Sequence, residues 1–219
     1  MQRWKPSVFK IAIGLGAAVA ILFCQMTTSL AHPHVWVTVE TMVLYDKGNL
    51  SGLQYKWAFD EGYTVMALED FQKNPDGTYD SKQLADLAKV NIDGLKEFGY
   101  FTYVVVGDQA IKLGEPRNYR LEYKNGVLSL IFTLPFAQPI ASKLGKDLTI
   151  LVLDPTYFIA FGLAKVDPIR LAQGAPASCK VQIAELAEGS AEAQRLSKAF
   201  PELGPQLGYT QISSIDCRP

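Results

Sequence analysis

Histidine is almost absent from this chain of 219 residues. Only two histidines occur, and both lie in one tripeptide, His32-Pro33-His34. A Ser-His-Asp triad or a zinc site of three histidines draws its imidazoles from separate parts of a sequence. Since no distant histidine is available, most histidine-dependent enzyme chemistry is excluded, and we expect a protein that is not an enzyme.

A dominant charge of either sign is also lacking. The chain has 21 basic and 22 acidic residues, which give a formal net charge of −1. Non-specific binding to nucleic acid depends on a broad basic field, so no nucleic-acid partner is expected. With 48% hydrophobic and 20% charged residues, the composition is that of a folded globular protein.

A hydrophobic run long enough to span a membrane is missing. A basic start is followed by residues 11–24, which carry no charge. A membrane-spanning helix takes about 20 apolar residues, so this run is too short. Small residues at Ser29 and Ala31 fit a signal-peptidase site. We therefore predict a secretory signal peptide over residues 1–31, with an uncleaved N-terminal anchor as the alternative.

Cleavage after Ala31 would leave one periplasmic domain, residues 32–219, with no membrane span. This mature chain would carry 18 basic and 22 acidic residues, a net charge of −4. Of the three cysteines, Cys179 and Cys217 would remain. An even pair in an exported chain indicates a disulfide, which would stabilise the fold by about 4 kcal/mol. Two free buried thiols or a two-cysteine metal site are the alternatives.

The mature chain is predicted to be an α+β protein with an antiparallel, β-sandwich-like core. Apolar and polar residues alternate from Val35, and Asp46 to Asn49 forms a turn into a second strand. Asn125-Gly126 is a strong hairpin signal between two further strands. A C-terminal tail, tethered by the disulfide, adds two weaker strands and a helix at about residues 191–199.

Two helices interrupt this β pattern at about residues 60–99. Asp60 is suited to cap a helix of about a dozen residues that runs through Phe71. Asp80 is suited to cap a longer helix, which Gly99 would end. The insertion is therefore predicted to be helix, loop, helix.

The two histidines gain a special position if the signal peptide is removed. Cleavage after Ala31 makes His32 the first residue, which offers a free α-amine and an imidazole. His34 adds a second imidazole, and three nitrogen donors suit Zn(II), Ni(II), Co(II) or Cu(II). Pro33 has no amide N–H, so it prevents the full amide chelate and stiffens the segment. We predict a metal site at His32 and His34; the alternative is two exposed histidines at a chain end.

Three nitrogens leave coordination positions open. Asp60, Glu61 and Asp154 are candidates for a further ligand, although sequence alone cannot bring them to the histidines. Glu40 would lie about 20 Å along the strand from His34 and is a poor candidate. The loop from Gln72 to Gln83 resembles a calcium loop only faintly, since glutamine stands where two charged ligands are needed. No calcium site is expected.

Four ordered segments of the mature chain resemble a bacterial family of unknown function. The segments are His32-Pro33-His34-Val35-Trp36, Trp57-Ala58-Phe59-Asp60-Glu61, Leu95-Lys96-Glu97-Phe98-Gly99-Tyr100-Phe101-Thr102 and Asp154-Pro155-Thr156-Tyr157-Phe158. The family is often labelled the periplasmic component of an uncharacterised ABC-type transport system. Its association with nickel/cobalt-exporter-like permeases and with zinc uptake implies a periplasmic accessory of metal transport that works with an inner-membrane permease.

Two other functions fit parts of the sequence. The protein could be an interaction domain that docks on the permease and binds no metal. It could also be a copper enzyme with an N-terminal histidine brace, but that chemistry needs a second histidine from a distant strand. The metal-binding accessory protein is therefore the leading hypothesis.

Overall fold

The computed structural model describes residues 34–141, 147–208 and 210–217. The predicted signal peptide and His32 lie outside these residues. Within them the chain forms eleven strands and three α-helices. In chain order they are β1 (Val35–Asp46), β2 (Asn49–Phe59), α1 (Glu61–Ala67), α2 (Ser81–Leu95), β3 (Thr102–Val106), β4 (Gln109–Ala110), β5 (Arg117–Lys124), β6 (Val127–Ala141), β7 (Leu148–Val152), β8 (Ile159–Leu163), β9 (Ile169–Leu171), β10 (Lys180–Glu185), α3 (Ala191–Ala199) and β11 (Gln211–Asp216).

The strands form two sheets, in agreement with the predicted sandwich-like core. The first sheet has the order β5-β6-β2-β1-β8, and β9 also pairs with β1. The second sheet has the order β10-β11-β7-β3-β4. Pairing is antiparallel except that β8 and β9 run parallel to β1. The predicted α+β fold class is confirmed. The parallel pairing of β8 and β9 was not predicted, because residue alternation reports which face is buried and not the direction of a neighbouring strand.

The two predicted hairpins are confirmed. β1 and β2 pair as far as Asp46 opposite Asn49. β5 and β6 pair as far as Lys124 opposite Val127, with Asn125 and Gly126 both at positive φ. Two consecutive positive φ values are what a two-residue turn of the favoured hairpin type requires.

One core lies between the sheets, and a second lies on the far side of the second sheet. The first sheet contributes the completely buried Val39 of β1 and the almost completely buried Trp57 of β2, which pack in one cluster with Val104 of β3. On the other face of β3, Val105 packs with Leu196 of α3. The predicted tail is therefore an integral layer, since β11 lies inside the second sheet and α3 covers it.

The helical insertion is confirmed, but α1 is shorter than predicted. Asp60 caps it through the backbone N–H of Tyr63, and the helix ends at Ala67 instead of Phe71. Asp80 caps α2 through the N–H of Gln83, as expected. α2 ends at Leu95, four residues before Gly99, so the predicted helix end was wrong. A 3₁₀ segment, Lys96–Phe101, follows, and Gly99 lies within it at a kink, in the left-handed conformation at φ 58°.

The predicted disulfide between Cys179 and Cys217 is present. Cys179 lies just before β10 and Cys217 just after β11, so the bond joins the ends of two paired strands. It links residues separated by 38 positions in the sequence. Neither free thiols nor a metal site occupies these two positions.

Candidate functional site at the start of the first strand

The first strand presents His34 and Trp36 to the solvent. Val35 and Val37, which alternate with them along the strand, are buried at 6% and 3% exposure, whereas Trp36 is 61% exposed. This alternation follows from the two-residue period of a strand and confirms the predicted face. The candidate metal ligand His34 therefore lies on the exposed side of the sheet, at the point where the described chain begins.

A loop at residues 154–158 is organised by one buried carboxylate. Asp154 is 2% exposed. Its Oδ1 accepts from the backbone N–H and the hydroxyl of Thr156, at 2.8 and 2.7 Å, and its Oδ2 accepts from the N–H of Ile159 at 2.9 Å. Both carboxylate oxygens are thus engaged in forming the loop, which is the usual way to satisfy a buried charge.

This loop holds His34 at two points. The backbone N–H of His34 donates to the carbonyl of Phe158 at 2.9 Å. The imidazole also stacks on the Phe158 ring, with centroids 5.0 Å apart and an interplanar angle of 12°. The lone pair of an imidazole nitrogen lies in the ring plane, so stacking on the face leaves the edge of His34 open.

Asp60 holds the next exposed residue of the strand. Its Oδ2 accepts from the backbone N–H of Trp36 at 2.6 Å, and its own N–H donates to the Trp36 carbonyl at 2.9 Å. Its Oδ1 accepts from the N–H of Tyr63 at the start of α1. Partial burial raises the pKa of Asp60, but the N–H groups of Trp36, Tyr63 and Gly62 together outweigh it and hold the pKa below its usual value.

The acidic candidates named from the sequence therefore have different roles. Asp60 and Asp154 use both carboxylate oxygens to bind backbone N–H groups. Glu61 is exposed in the first turn of α1, next to the residue that holds Trp36. Glu40 forms ion pairs with Lys56 at 3.0 Å and with Arg170 at 3.5 Å. Of these four, Glu61 is the one whose carboxylate faces solvent beside the strand start.

Two residues of the site were not named as candidates from the sequence. Phe158 supplies both the carbonyl and the ring that hold His34, and Thr156 anchors the loop to Asp154. Both lie in the segment Asp154–Phe158 that carries the family resemblance. The sequence therefore marked this segment as a family feature but did not indicate that it contacts His34.

No cluster of three or more His, Cys, Asp or Glu side chains that could hold a metal occurs in residues 34–141, 147–208 and 210–217. The predicted ligand His32 lies outside these ranges. In the Asx-rich loop before α2, Asp76 accepts from the N–H and hydroxyl of Thr78, while Asp80 caps the helix. Those carboxylates shape the turn.

No helix in the described part of the chain is both long and apolar enough to cross a bilayer.

Fold and site together define a class: an α+β domain of two packed sheets in which a helix cap and an acidic loop hold the exposed start of the first strand. The chain matches the family described as "Protein of unknown function (DUF1007)" over residues 17–211. Since this match covers most of the sequence, the chain belongs to the DUF1007 family.

Two relatives are also of uncharacterised function. An uncharacterized protein of Haemophilus influenzae is 28% identical over 138 residues, which are 62% of this chain and 64% of that protein. This chain thus spans less than two thirds of the length of that relative. An "Uncharacterized 15.5 kDa protein in trpE 3'region" of Spirochaeta aurantia is 26% identical over 102 residues, 47% of this chain and 71% of that protein.

Proposed function

We propose that this protein is a non-enzymatic, periplasmic accessory of transition-metal transport. It binds one divalent ion, Zn(II), Ni(II), Co(II) or Cu(II), through the α-amine and imidazole of His32 and the imidazole of His34. It exchanges this ion with an inner-membrane permease. The observation that carries the proposal is the fixed, exposed imidazole of His34 at the start of β1.

The contacts of His34 support this role because they hold the metal-binding imidazole in one orientation before any ion binds. The Phe158 carbonyl fixes the backbone, and the Phe158 ring fixes the plane of the imidazole. A ligand that is already ordered loses less conformational entropy on binding. Pro33, directly before it, limits the conformations of the connection to His32.

Charge and compartment also support the proposal. The exposed carboxylate of Glu61 follows Asp60, which is bonded to Trp36 two residues after His34. A carboxylate next to imidazoles favours a divalent cation over an anion. The disulfide between Cys179 and Cys217 is typical of an oxidising compartment such as the periplasm.

Calorimetric titration tests the proposal. Zn(II), Ni(II), Co(II) and Cu(II) are added separately to tag-free protein whose first residue is confirmed as His32 by mass spectrometry. We expect micromolar or tighter binding that disappears in a His32→Ala/His34→Ala variant. A Glu40→Gln variant is the matched control, because Glu40 lies on the same strand face but is ion-paired elsewhere.

Two outcomes would reject the metal site: no binding of any of the four ions, or unchanged binding in the double-histidine variant. Loss of binding in the Glu40→Gln variant would place the ion elsewhere on the strand.

The second candidate function is a permease-docking domain that binds no metal. It is favoured by three large aromatic side chains around the strand start, since Trp36 is 61%, Phe158 53% and Tyr157 50% exposed. Exposed aromatic residues are enriched in protein interfaces. Under this alternative, substitution of these aromatic residues would abolish association with the permease while the calorimetric titration would show no metal binding.

A further inference from the structure

A cavity of about 480 Å³ lies between the two sheets, at the edge where β8 and β9 both pair with β1. Leu163 and Ile169 line it from the first sheet, and Ile150 and Ser213 line it from the second. Its volume falls in the range of about 300–1,000 Å³ that small-molecule sites occupy.

The open space follows from the local sequence. Between Leu163 and Ile169 the chain leaves the sheet and returns, so that two short strands cover one side of β1. Ser213 is among the lining residues on the inner face of β11, and its small side chain leaves volume that a larger one would fill. The cavity is therefore a gap in the packing between two otherwise closely packed layers.

A buried hydroxyl in the wall of the cavity lacks a partner. Thr41 lies on the inner face of β1 and is 1% exposed. Its Oγ1 forms no hydrogen bond with any residue in the described part of the chain. Burying an unpaired hydroxyl costs about 1–3 kcal/mol. A Thr at this position on an otherwise valine-rich face, between Val39 and Val43, is explained if the hydroxyl meets a bound molecule.

The charge of the lining restricts the ligand. Among the described residues that line the cavity, the one acidic or basic side chain is that of Glu185, which is exposed. With no cationic side chain among them, an anionic group would be buried without a partner. The remaining wall is apolar apart from a few hydroxyl and amide groups.

We propose that this cavity binds a small, largely apolar molecule, neutral or cationic, whose hydrogen-bonding group meets the hydroxyl of Thr41. His34 is not among the lining residues, and the inference does not depend on metal binding.

Fluorescence titration with N-phenyl-1-naphthylamine tests this inference. The probe is neutral, apolar and has one N–H donor, and it is excited directly, where tryptophan does not absorb. We expect saturable one-to-one binding to the full mature protein. The matched probe 8-anilinonaphthalene-1-sulfonate has the same skeleton with an anionic group, and should bind more weakly by about tenfold or more, a difference of about 1.4 kcal/mol.

Three variants locate the probe. Leu163→Trp fills the cavity from a half-buried position and should abolish binding, whereas Leu171→Trp changes a half-buried leucine on β9 outside the lining and should leave it unchanged. Thr41→Val replaces the hydroxyl with a methyl group of similar size and should weaken binding by about fivefold, as expected for one hydrogen bond. Thermal unfolding of each variant shows that it is folded.

The inference is overturned if the neutral probe does not bind, which would mean that the cavity holds only water. Equal affinity in the wild type and the folded Leu163→Trp variant would overturn it as well. If Leu163→Trp does not fold, the near-isosteric Thr41→Val variant decides, and unchanged affinity there would contradict the proposed contact with Thr41.

Discussion

The carboxylate of Asp60 accepts the backbone N–H of Trp36 at 2.6 Å, while the N–H of Asp60 donates to the Trp36 carbonyl at 2.9 Å. This reciprocal pair ties the start of β1 to the start of α1. Together with the bond from His34 to Phe158, it fixes two consecutive exposed positions of the strand. The proposed metal ligand His34 therefore lies in a backbone segment that is held in place by hydrogen bonds on both residues.

Substitution of Asp60 should destabilise the protein more than substitution of an ordinary helix cap. Asp60→Ala removes a cap and also leaves the Trp36 N–H without its acceptor, so we expect a loss of about 2–3 kcal/mol. Asp80→Ala removes a cap alone and should cost about 1 kcal/mol. Urea unfolding measures both, and equal losses would show that the bond to Trp36 contributes nothing.

The lowered pKa of Asp60 predicts a specific acid sensitivity. Because the folded-state pKa is below the unfolded value, the stabilisation is fully present above the unfolded pKa of about 3.9. It is lost as the pH falls through the lower folded-state pKa. Thermal unfolding between neutral and strongly acidic pH should show a steeper acid loss of Tm in the wild type than in Asp60→Asn. Parallel curves would contradict this assignment.

Asp154 should be essential for the loop that holds His34. Asp154→Ala leaves the N–H groups of Thr156 and Ile159 without their acceptor, so we expect a loss of about 3 kcal/mol in urea unfolding. Thr156→Val removes one hydroxyl bond to the same carboxylate and should cost about 1 kcal/mol. A loss for Asp154→Ala no larger than that for Thr156→Val would argue against its organising role.

Reduction of the disulfide should lower stability by about 2–4 kcal/mol. The bond between Cys179 and Cys217 joins the ends of β10 and β11, so its loss frees the outer strand of the second sheet. Urea unfolding with and without dithiothreitol measures the difference. A Cys179→Ser/Cys217→Ser variant is the control, since its stability should match the reduced wild type and should not respond to the reductant.

Phe158 should influence metal binding without being a ligand. Phe158→Ala removes the ring on which the His34 imidazole is stacked. The free imidazole would then lose more conformational entropy on binding Zn(II) than it does in the wild type, so Zn(II) affinity should fall by about fivefold. Phe98→Ala is the matched control, because Phe98 is also exposed and stacks on Phe101 instead. Equal calorimetric Zn(II) affinities for the two variants would show that stacking on Phe158 does not orient the His34 imidazole for binding.

Features with a local cause could be predicted from the sequence. The exposed side of β1, the caps at Asp60 and Asp80 and the Asn125-Gly126 hairpin all follow from alternation, capping or turn chemistry within a few residues. The disulfide followed from an even cysteine count in an exported chain.

Features that depend on distant partners could not be predicted. The parallel pairing of β8 with β1 is decided by packing between segments more than a hundred residues apart. The apolar pattern of β8 begins at Tyr157, but the strand itself begins at Ile159. Tyr157 is not part of it because its backbone takes a left-handed conformation at φ 60°. Asp60 and Asp154 were considered as metal ligands, because a sequence shows a carboxylate but not the N–H groups that engage it.

The most direct test of the account compares two forms of the protein that differ only at the amino terminus. One begins at His32, and the other carries Gly-Ser-Gly-Ser before His32. This extension keeps both imidazoles and displaces the α-amine, and it places no histidine at the third position, where a new amide chelate would form. If the amine and the two imidazoles bind together, calorimetry should show Zn(II) affinity about tenfold or more higher in the first form. Equal affinity in the two forms, or no Zn(II) binding by the form that begins at His32, would contradict a metal site at the mature terminus.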